Sequence, residues 1–253
     1  MNRKKDFYIS LSSLTAFALW TILVCFVDVR PIGPNETEVG LALINSYVHR
    51  LTGINMTLYT VTDWLGLVPF IFIIGFGILG LLQWIKRKYI LKVDWSILAL
   101  GGFYIITMAV YIFFEIVVVN YRPILINGYL EASYPSSTTM LVMCVMPTAT
   151  MQLNSRIKNK ILKLSVSLSI TAFTVFMVAG RLISGVHWFS DIVGGAMLSI
   201  GLIMMYRYIT NMKNSIKIRY KENPENRDGF GGFEYIEIIK IISLRTGVHD
   251  ELP

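Results

Sequence analysis

The stretch Trp95–Tyr121, WSILALGGFYIITMAVYIFFEIVVVNY, decides the fold class of this protein. Glu115 is its single charged residue. A helix of about 20 mostly apolar residues is long enough to cross a bilayer, and this stretch exceeds that length. We therefore interpret it as a transmembrane helix.

The same character recurs along the chain, which is 54% hydrophobic and 15% charged. A soluble domain usually carries about 25% charged residues, so this composition excludes an ordinary soluble protein. The sequence predicts an all-α polytopic membrane protein with six transmembrane helices. Besides the stretch above, the predicted spans are Phe7–Val29, Leu58–Trp84, Ser136–Leu153, Leu164–Gly180 and Trp188–Tyr208.

Basic residues indicate the orientation of these spans. They cluster before the first span, between the second and third, between the fourth and fifth, and after the sixth. All four clusters fall on one side of a six-span topology, which is the cytoplasm by the positive-inside rule. We expect an integral protein of a bacterial plasma membrane with both termini cytoplasmic. This topology accounts for the net charge of +7, so no nucleic-acid partner is expected.

Two segments lie outside the predicted spans. The loop between the first two spans repeats apolar residues at helical spacing and predicts an extracytoplasmic amphipathic helix on the membrane surface. The chain is expected to divide into a membrane domain over residues 1–210, with a site-bearing core at about 95–208, and a cytoplasmic tail over 211–253. The apolar positions of the predicted surface helix are Val39, Leu43, Tyr47, Val48 and Leu51.

A histidine and an aspartate follow the fifth predicted span on the extracytoplasmic side. Arg181 ends that span, His187 comes six residues later, and Asp191 four residues after that. Residues four apart share one face of a helix. Asp191 is therefore expected to accept a hydrogen bond from His187, which would leave the other ring nitrogen free to attack an electrophile.

Further anion-binding groups are predicted on the same side. Arg122 is expected to end the third span, and Pro135–Thr138 begins the fourth. Taken singly, an arginine at a span end is usually an interfacial anchor. Together with a helix N-terminus and an ordered histidine, however, two arginines favour a phosphate site.

These residues resemble the motifs of the type 2 phosphatidic acid phosphatase family. Its motifs read K-x6-R-P, P-S-G-H and S-R-x5-H-x3-D. The third is matched by Gly180-Arg181-x5-His187-x3-Asp191 without the leading serine. The first is matched by Glu115-x6-Arg122-Pro123, and the second by Pro135-Ser136-Ser137-Thr138. The resemblance runs over about residues 95–195.

The resemblance implies a role for each matching residue. His187 would be the nucleophile that forms a phosphohistidine, and Asp191 would orient it. Arg122 and Arg181 would hold the phosphate oxygens. Two further residues would assist the arginines, namely Ser136 and the backbone of Ser137. The implied substrate is a lipid phosphate, and no cofactor or metal is implied.

Two departures from the family pattern bear on the chemistry. Glu115 replaces the family's lysine, and Thr138 replaces the histidine that protonates the leaving group. Loss of a general acid costs about 10²–10⁴ in rate unless the leaving group needs no proton. This favours a lipid diphosphate such as a polyprenyl diphosphate over phosphatidic acid. Alternatively, Glu131 or Tyr134 supplies the proton.

Three functions stay open from the sequence. The first is a lipid phosphatase or diphosphatase that acts at the extracytoplasmic face. The second is a phosphotransferase that moves the phosphate to another hydroxyl, and the third is a non-catalytic relative that binds anionic lipids. The sequence predicts no oligomeric state.

Overall fold

The computed structural model describes residues 3–222 and the side chains of residues 4–212. Most of the predicted tail lies outside these residues. Residues 3–210 lie in one compact unit, and the described residues 211–222 lie outside it. The described chain is almost entirely helical. Its helices are α1 (Arg3–Phe26), α2 (Ala42–Thr52), α3 (Met56–Leu65), α4 (Val68–Arg87), α5 (Trp95–Ile116), α6 (Ser137–Arg156), α7 (Lys160–Ile183) and α8 (Phe189–Glu222), and the strands β1 (Arg30–Pro31) and β2 (Glu38–Val39) form one antiparallel hairpin.

Five helical segments within the described residues are long and apolar enough to cross a membrane. They are α1, the segment Met56–Arg87 formed by α3 and α4, α5, α7, and Phe189–Met212 of α8. The polytopic helical fold is therefore confirmed. The second segment is broken at Gly66 and Leu67, where α3 ends and α4 begins.

The fourth predicted span forms the 20-residue helix α6, but α6 does not belong to the apolar set. It packs against α4, α5 and α7 and buries residues on several sides. Its polar side chains have partners on neighbouring helices: Thr148 Oγ1 lies 3.3 Å from the Tyr104 hydroxyl of α5, and the Gln152 amide donates to the Tyr206 hydroxyl of α8 at 2.5 Å. A helix surrounded by protein needs less lipid-compatible surface. The count of six spans stays a prediction.

The amphipathic helix is confirmed as α2, with one correction. Val39 was expected on its apolar face but precedes the helix, in β2, where it is fully buried. Asn45 docks α2 on the start of α8, because its side chain donates to Ser190 Oγ at 3.0 Å and accepts from the Ser190 amide. Away from Asn45, α2 exposes large apolar side chains. They include Leu43, Tyr47 and Leu51.

The third predicted span ends earlier than expected. Arg122 was expected at its end, but α5 stops at Ile116. Three consecutive valines, Val117–Val119, follow at once, and β-branched residues lose side-chain freedom in a helix. The chain instead pairs Tyr121 with Ala132 in an isolated β-bridge. Arg122 therefore lies on a loop that folds back over the end of the bundle.

A tight turn connects α7 to α8 and carries His187. Gly185 has φ +69°, and a Cβ there would lie 1.8 Å from the carbonyl oxygen of Gly53. Only glycine fits this close approach and this backbone conformation without strain. The neighbouring Ser184 carbonyl accepts from the Asn55 amide at 3.0 Å, so the turn is fixed against the start of α3.

Candidate active site

His187 and Asp191 are brought together, but a third residue connects them. His187 Nδ1 lies 3.9 Å from Asp191 Oδ2, which is too far for a hydrogen bond. Ser133 Oγ lies between them, 2.5 Å from Asp191 Oδ2 and 3.0 Å from His187 Nδ1. The predicted direct contact is therefore wrong. His187 precedes α8, so the regular i,i+4 spacing of a helix does not apply to the pair.

The serine bridge defines which ring nitrogen of His187 carries the proton. The Ser133 hydroxyl has one proton, which it donates to the Asp191 carboxylate. Its oxygen then accepts from His187 Nδ1–H. This arrangement leaves the lone pair of His187 on Nε2.

Asp191 is fully buried and is held by several donors. Its Oδ2 accepts from the Trp188 amide at 2.9 Å, which caps the first turn of α8. Its Oδ1 accepts from Ser190 Oγ at 3.2 Å and, at the long distance of 3.5 Å, from Asn120. These bonds come from three segments of the chain, so the carboxylate position is strongly constrained.

His187 is 3% exposed, and its Nε2 has no hydrogen-bond partner among the described residues. Burial, and then the positive charges of Arg122 and Arg181, hold the pKa of His187 well below its usual range. The imidazole is therefore neutral at neutral pH. A neutral imidazole with a free Nε2 is the form that can act as a nucleophile.

Arg181 lies in the last turn of α7 and is 2% exposed. Its Nη2 donates to Asp63 Oδ1 at 2.8 Å and to Thr138 Oγ1 at 2.6 Å. The guanidinium also lies over the ring of Tyr59, 5.0 Å from its centre. Within the described chain, its Nε and Nη1 have no partner.

Arg122 approaches the same ring from the loop after α5, at 5.8 Å from its centre. It forms an ion pair with Glu131 (Nε to Oε2 3.2 Å) that lacks hydrogen-bond geometry. Its amide also bonds the Glu131 carbonyl at 3.1 Å. As with Arg181, its Nη1 has no partner in the part of the chain that the structure describes.

Both arginines line a cavity of about 640 Å³. Its walls come from α3, the α3–α4 break, α5, the loop that carries Arg122, α6 and α7. Buried polar groups almost always have partners, and an unpaired buried guanidinium nitrogen is costly. The free nitrogens of two arginines beside one cavity indicate that an anion completes the site. The residues that line it are Asp63, Gly66, Leu67, Phe70, Met108, Tyr111, Glu115, Val118, Tyr121, Arg122, Leu130, Glu131, Ala132, Ser137, Thr138, Leu141 and Arg181.

The three predicted residues at the start of α6 have two different roles. Ser137 and Thr138 line the cavity. Ser136 is fully buried and is the N-cap of α6, accepting from the Thr139 amide at 3.5 Å. Its own amide donates to the Asp191 carbonyl at 3.0 Å. Ser136 therefore joins α6 to α8, while Ser137 and Thr138 face the ligand space.

The three remaining predicted residues also differ in whether they line the cavity. Glu115 and Glu131 line the cavity beside Arg122. Tyr134 is buried, and its hydroxyl is 2.7 Å from Thr21 Oγ1 of α1 rather than in the cavity wall. Burial also raises the pKa of Tyr134. A proton donor in the cavity is therefore better placed at either glutamate than at this tyrosine.

Sequence reasoning missed Ser133, Asn120, Tyr59 and Asp63. Asp63 carried a usable signal, because an acidic residue inside an apolar span is costly and usually functional. The other three give no such signal. Ser133 and Asn120 reach Asp191 only because the loop after α5 folds back through the Tyr121–Ala132 bridge.

No group of three or more His, Cys, Asp or Glu residues within the described chain has the spacing of a metal site. The arginines and the helix start instead provide the donors expected for an oxyanion.

Comparisons with known proteins bear on the family and the fold. Residues 97–215 match the family model described as the PAP2 superfamily. Among solved structures, the chain is similar to a transmembrane PAP2-type phosphatidylglycerolphosphate phosphatase from Bacillus subtilis, with a TM-score of 0.58 and 17% identity over 81% of this chain and 97% of that one. At this identity the likeness concerns the fold. No curated protein matches the sequence.

Proposed function

Because residues 97–215 belong to the PAP2 superfamily, we propose that this membrane protein is a lipid phosphatase that acts through His187. The observation that carries the proposal is the set of unpaired nitrogens on His187, Arg122 and Arg181. Two arginines supply charge-assisted hydrogen bonds to phosphate, and the histidine supplies a neutral nucleophile.

The proposed reaction has two steps. His187 Nε2 attacks phosphorus, the bond from phosphorus to the leaving oxygen breaks, and a phosphohistidine forms. Water then attacks phosphorus, and the bond from phosphorus to His187 Nε2 breaks. Inorganic phosphate leaves with the protons of the water, and the neutral imidazole is regenerated. Arg122 and Arg181 stabilise the charge on the phosphoryl oxygens in both steps, which is the main catalytic contribution in phosphoryl transfer.

The leaving oxygen in the first step needs a proton unless it is already a weak base. Thr138 stands where the family has its acidic histidine, and its Oγ1 accepts from Arg181. An alcohol hydroxyl is a poor acid, because its pKa lies far above neutral pH. This supports a substrate whose leaving group tolerates the absence of a strong donor, and a lipid diphosphate is one such class.

The extracytoplasmic location of the site is part of the proposal. It rests on the sorting of basic clusters along the sequence. Asn127 is exposed on the loop that carries Arg122. The variant Asn127→Cys should react with an impermeant thiol reagent in intact cells. Labelling that requires permeabilised cells would reverse the orientation.

The function is tested with purified protein in detergent against a panel of lipid monophosphates and diphosphates, with and without an alcohol acceptor. Release of inorganic phosphate regardless of acceptor is expected. Product that forms only with the acceptor would make the protein a phosphotransferase. Binding without turnover on any substrate would make it a lipid-binding relative.

A further inference from the structure

The helix α2 is connected to the carboxylate of Asp191 by two consecutive hydrogen bonds. Asn45 of α2 donates from Nδ2 to Ser190 Oγ at 3.0 Å, and Ser190 Oγ donates to Asp191 Oδ1 at 3.2 Å. Resting on the proposed function, we propose that Asn45 is a positioning residue for phosphoryl transfer, which holds Asp191 through the Ser190 hydroxyl. A helix that exposes large apolar side chains on its outer face then also serves the reaction.

The orientation of the Asn45 side-chain amide is defined by its neighbours. Its Nδ2 donates to the Gly40 carbonyl at 2.8 Å, and its Oδ1 accepts from the Ser190 amide at 3.0 Å. A carbonyl only accepts and a backbone N–H only donates, so an exchange of Nδ2 and Oδ1 would break both bonds. Asn45 is fully buried, where unpaired polar groups are costly. The second N–H of Nδ2 therefore points at Ser190 Oγ.

This bond from Asn45 determines where the Ser190 hydroxyl sends its proton. A serine hydroxyl has one proton, and its oxygen already accepts from Asn45. The proton is thus directed to Asp191 Oδ1, while Ser133 donates to the other oxygen, Oδ2, at 2.5 Å. Hydrogen bonds to a charged group are strong in a buried setting, and Ser190 and Asp191 are both fully buried. The two hydroxyls together fix the rotation of the carboxylate.

The beginning of α2 is held firmly enough to transmit such a restraint. A Cβ at Gly40 would lie 1.6 Å from the carbonyl oxygen of Val24, so the chain before α2 packs directly on α1. The same helix bonds the other end of the chain of contacts, because Trp20 Nε1 donates to the Ser190 carbonyl at 3.0 Å. Asn45 and Ser190 are therefore both fixed relative to α1.

A purely structural role of Asn45 predicts a different result from a positioning role. Ser190→Ala removes the hydroxyl but keeps the backbone amide that Asn45 Oδ1 binds. If Asn45 acts on Asp191 through that hydroxyl, its own removal should cost no further kcat in the Ser190→Ala background. If Asn45 only docks α2, its removal should cost the same in both backgrounds.

The test measures kcat and KM for a lipid phosphate that the wild type hydrolyses, with Asn45→Ala, Ser190→Ala and the double variant. Only protein from the monodisperse size-exclusion peak in detergent is assayed. Each single variant should lower kcat about tenfold and change KM less than about twofold, as expected for groups that orient another residue. The double variant should match the weaker single variant. Losses that multiply, or a kcat within about twofold of wild type in either single variant, would overturn the positioning role.

Asn45→Asp covers the case in which Asn45→Ala does not fold. Aspartate has nearly the same shape and keeps an oxygen for the Ser190 amide, but it has no N–H to donate. Its carboxylate can accept the Ser190 proton, which is then lost to Asp191. We expect kcat to fall at least about tenfold. An unchanged kcat in Asn45→Asp would overturn the inference.

Asn159→Ala is the matched control for the loss of a helix-terminal asparagine. Asn159 is the N-cap of α7 at the end opposite Arg181, and its side chain accepts from the amides of Ile161 and Leu162. Its removal should lower thermal stability and leave kcat and KM unchanged. A loss of kcat as large as that in Asn45→Ala would show that reduced stability alone explains the effect and would overturn the inference.

The failure of this inference can be told apart from failure of the proposed function. Wild-type turnover together with additive or absent effects of the Asn45 and Ser190 variants would overturn the role of Asn45 alone. Absence of wild-type turnover on every lipid phosphate would overturn the phosphatase, and the role of Asn45 with it.

Discussion

The two halves of the site differ in how far the protein completes them. On the histidine side, Ser133 and Asp191 are buried and fully engaged, and His187 has only its Nε2 free within the described chain. On the arginine side, Arg122 and Arg181 keep four nitrogens without a hydrogen-bond partner among those residues. The proposed nucleophile is therefore held in place by the protein alone, whereas the arginine half leaves donors that the proposed phosphate would occupy.

The same two halves of the site also differ in how closely they match the family motifs. The histidine side retains the family's spacing of Arg181, His187 and Asp191. The cavity side carries Glu115 and Thr138 in place of a lysine and a histidine. The residues proposed to carry phosphoryl transfer thus keep the family pattern, while those proposed to meet the head group and leaving group depart from it.

Removing the proposed nucleophile should cause the largest loss of activity. His187→Ala is expected to lower kcat by on the order of 10⁴ or more, because no other group in the site replaces the attacking nitrogen. Phosphate release from the lipid panel measures this. Size-exclusion profiles in detergent check that the variant still folds. Activity within about threefold of wild type would rule out His187 as the nucleophile.

Removing the bridge should weaken the same side less. Ser133→Ala breaks the connection between Asp191 and His187, since the two are 3.9 Å apart. We expect a loss in kcat of about 10–100-fold with little change in KM, as for other residues that orient a catalytic ligand. Ser133→Thr keeps a hydroxyl and should recover most of the activity.

A double-variant comparison separates this positioning role from a general loss of stability. Asp191→Asn acts through the same bridge, so Ser133→Ala combined with Asp191→Asn should be no worse than Asp191→Asn alone. Losses that multiply in the double variant would show that Ser133 and Asp191 act separately.

The positive charge of the arginines should have a measurable effect on the pKa of His187. The pKa of His187 lies well below its usual range because of burial and then the charges of Arg122 and Arg181. As pH falls, wild-type kcat/KM should therefore persist below pH 6.5 and decline only when His187 is protonated. Arg122→Gln removes one positive charge, raises the pKa of His187, and should move the acid limb to higher pH.

Arg30→Gln is the control for that shift, because Arg30 is exposed and paired with Asp28 outside the cavity wall. It should leave the acid limb unchanged. An acid limb in Arg122→Gln that stays at the wild-type position would show that Arg122 does not influence His187.

Much of the fold was predictable from local patterns, but the links within the site were not. Runs of apolar residues predicted the helices. The spacing of Arg181, His187 and Asp191 predicted that they lie close together, and they do, because one short turn connects α7 and α8. The bridge by Ser133 depends on a loop that folds back from the end of α5, and neither periodicity nor spacing encodes that return. The end of α5 at Ile116 is a similar case, since three valines still read as an apolar span.

Membrane burial also limits what hydropathy can predict. α6 is enclosed by α4, α5 and α7 and therefore tolerates polar residues that lower its apolar character. In contrast, Asp63 lies in a strongly apolar segment but pairs with Arg181 from another helix. An ion-pair partner that is distant in sequence lowers the cost of burying such a charge. That partner can be identified only from the folded structure.

The smallest expected effect comes from restoring the family residue at the altered cavity side. Thr138→His places an imidazole where Thr138 now accepts from Arg181 Nη2 at 2.6 Å. Thr138 lines the cavity, so the larger side chain has space to enter it. An imidazole with a pKa near 6.5 can protonate a leaving alkoxide, whereas a diphosphate leaving group with a pKa of about 6 gains little. We expect kcat/KM for plain lipid monoesters to rise about tenfold and that for diphosphates to change little.

Thr138→Gln separates proton donation from size, because glutamine has a comparable volume and no acidic proton. It should not reproduce the gain on monoesters. The measurement is kcat/KM for a matched monophosphate and diphosphate pair in wild type and both variants. If wild type already favours the plain monoester by about tenfold, a difference of roughly 1.4 kcal/mol in transition-state binding, the leaving-group account is wrong. Glu115 or Glu131, the acidic residues that line the cavity beside Arg122, would then be the source of the proton.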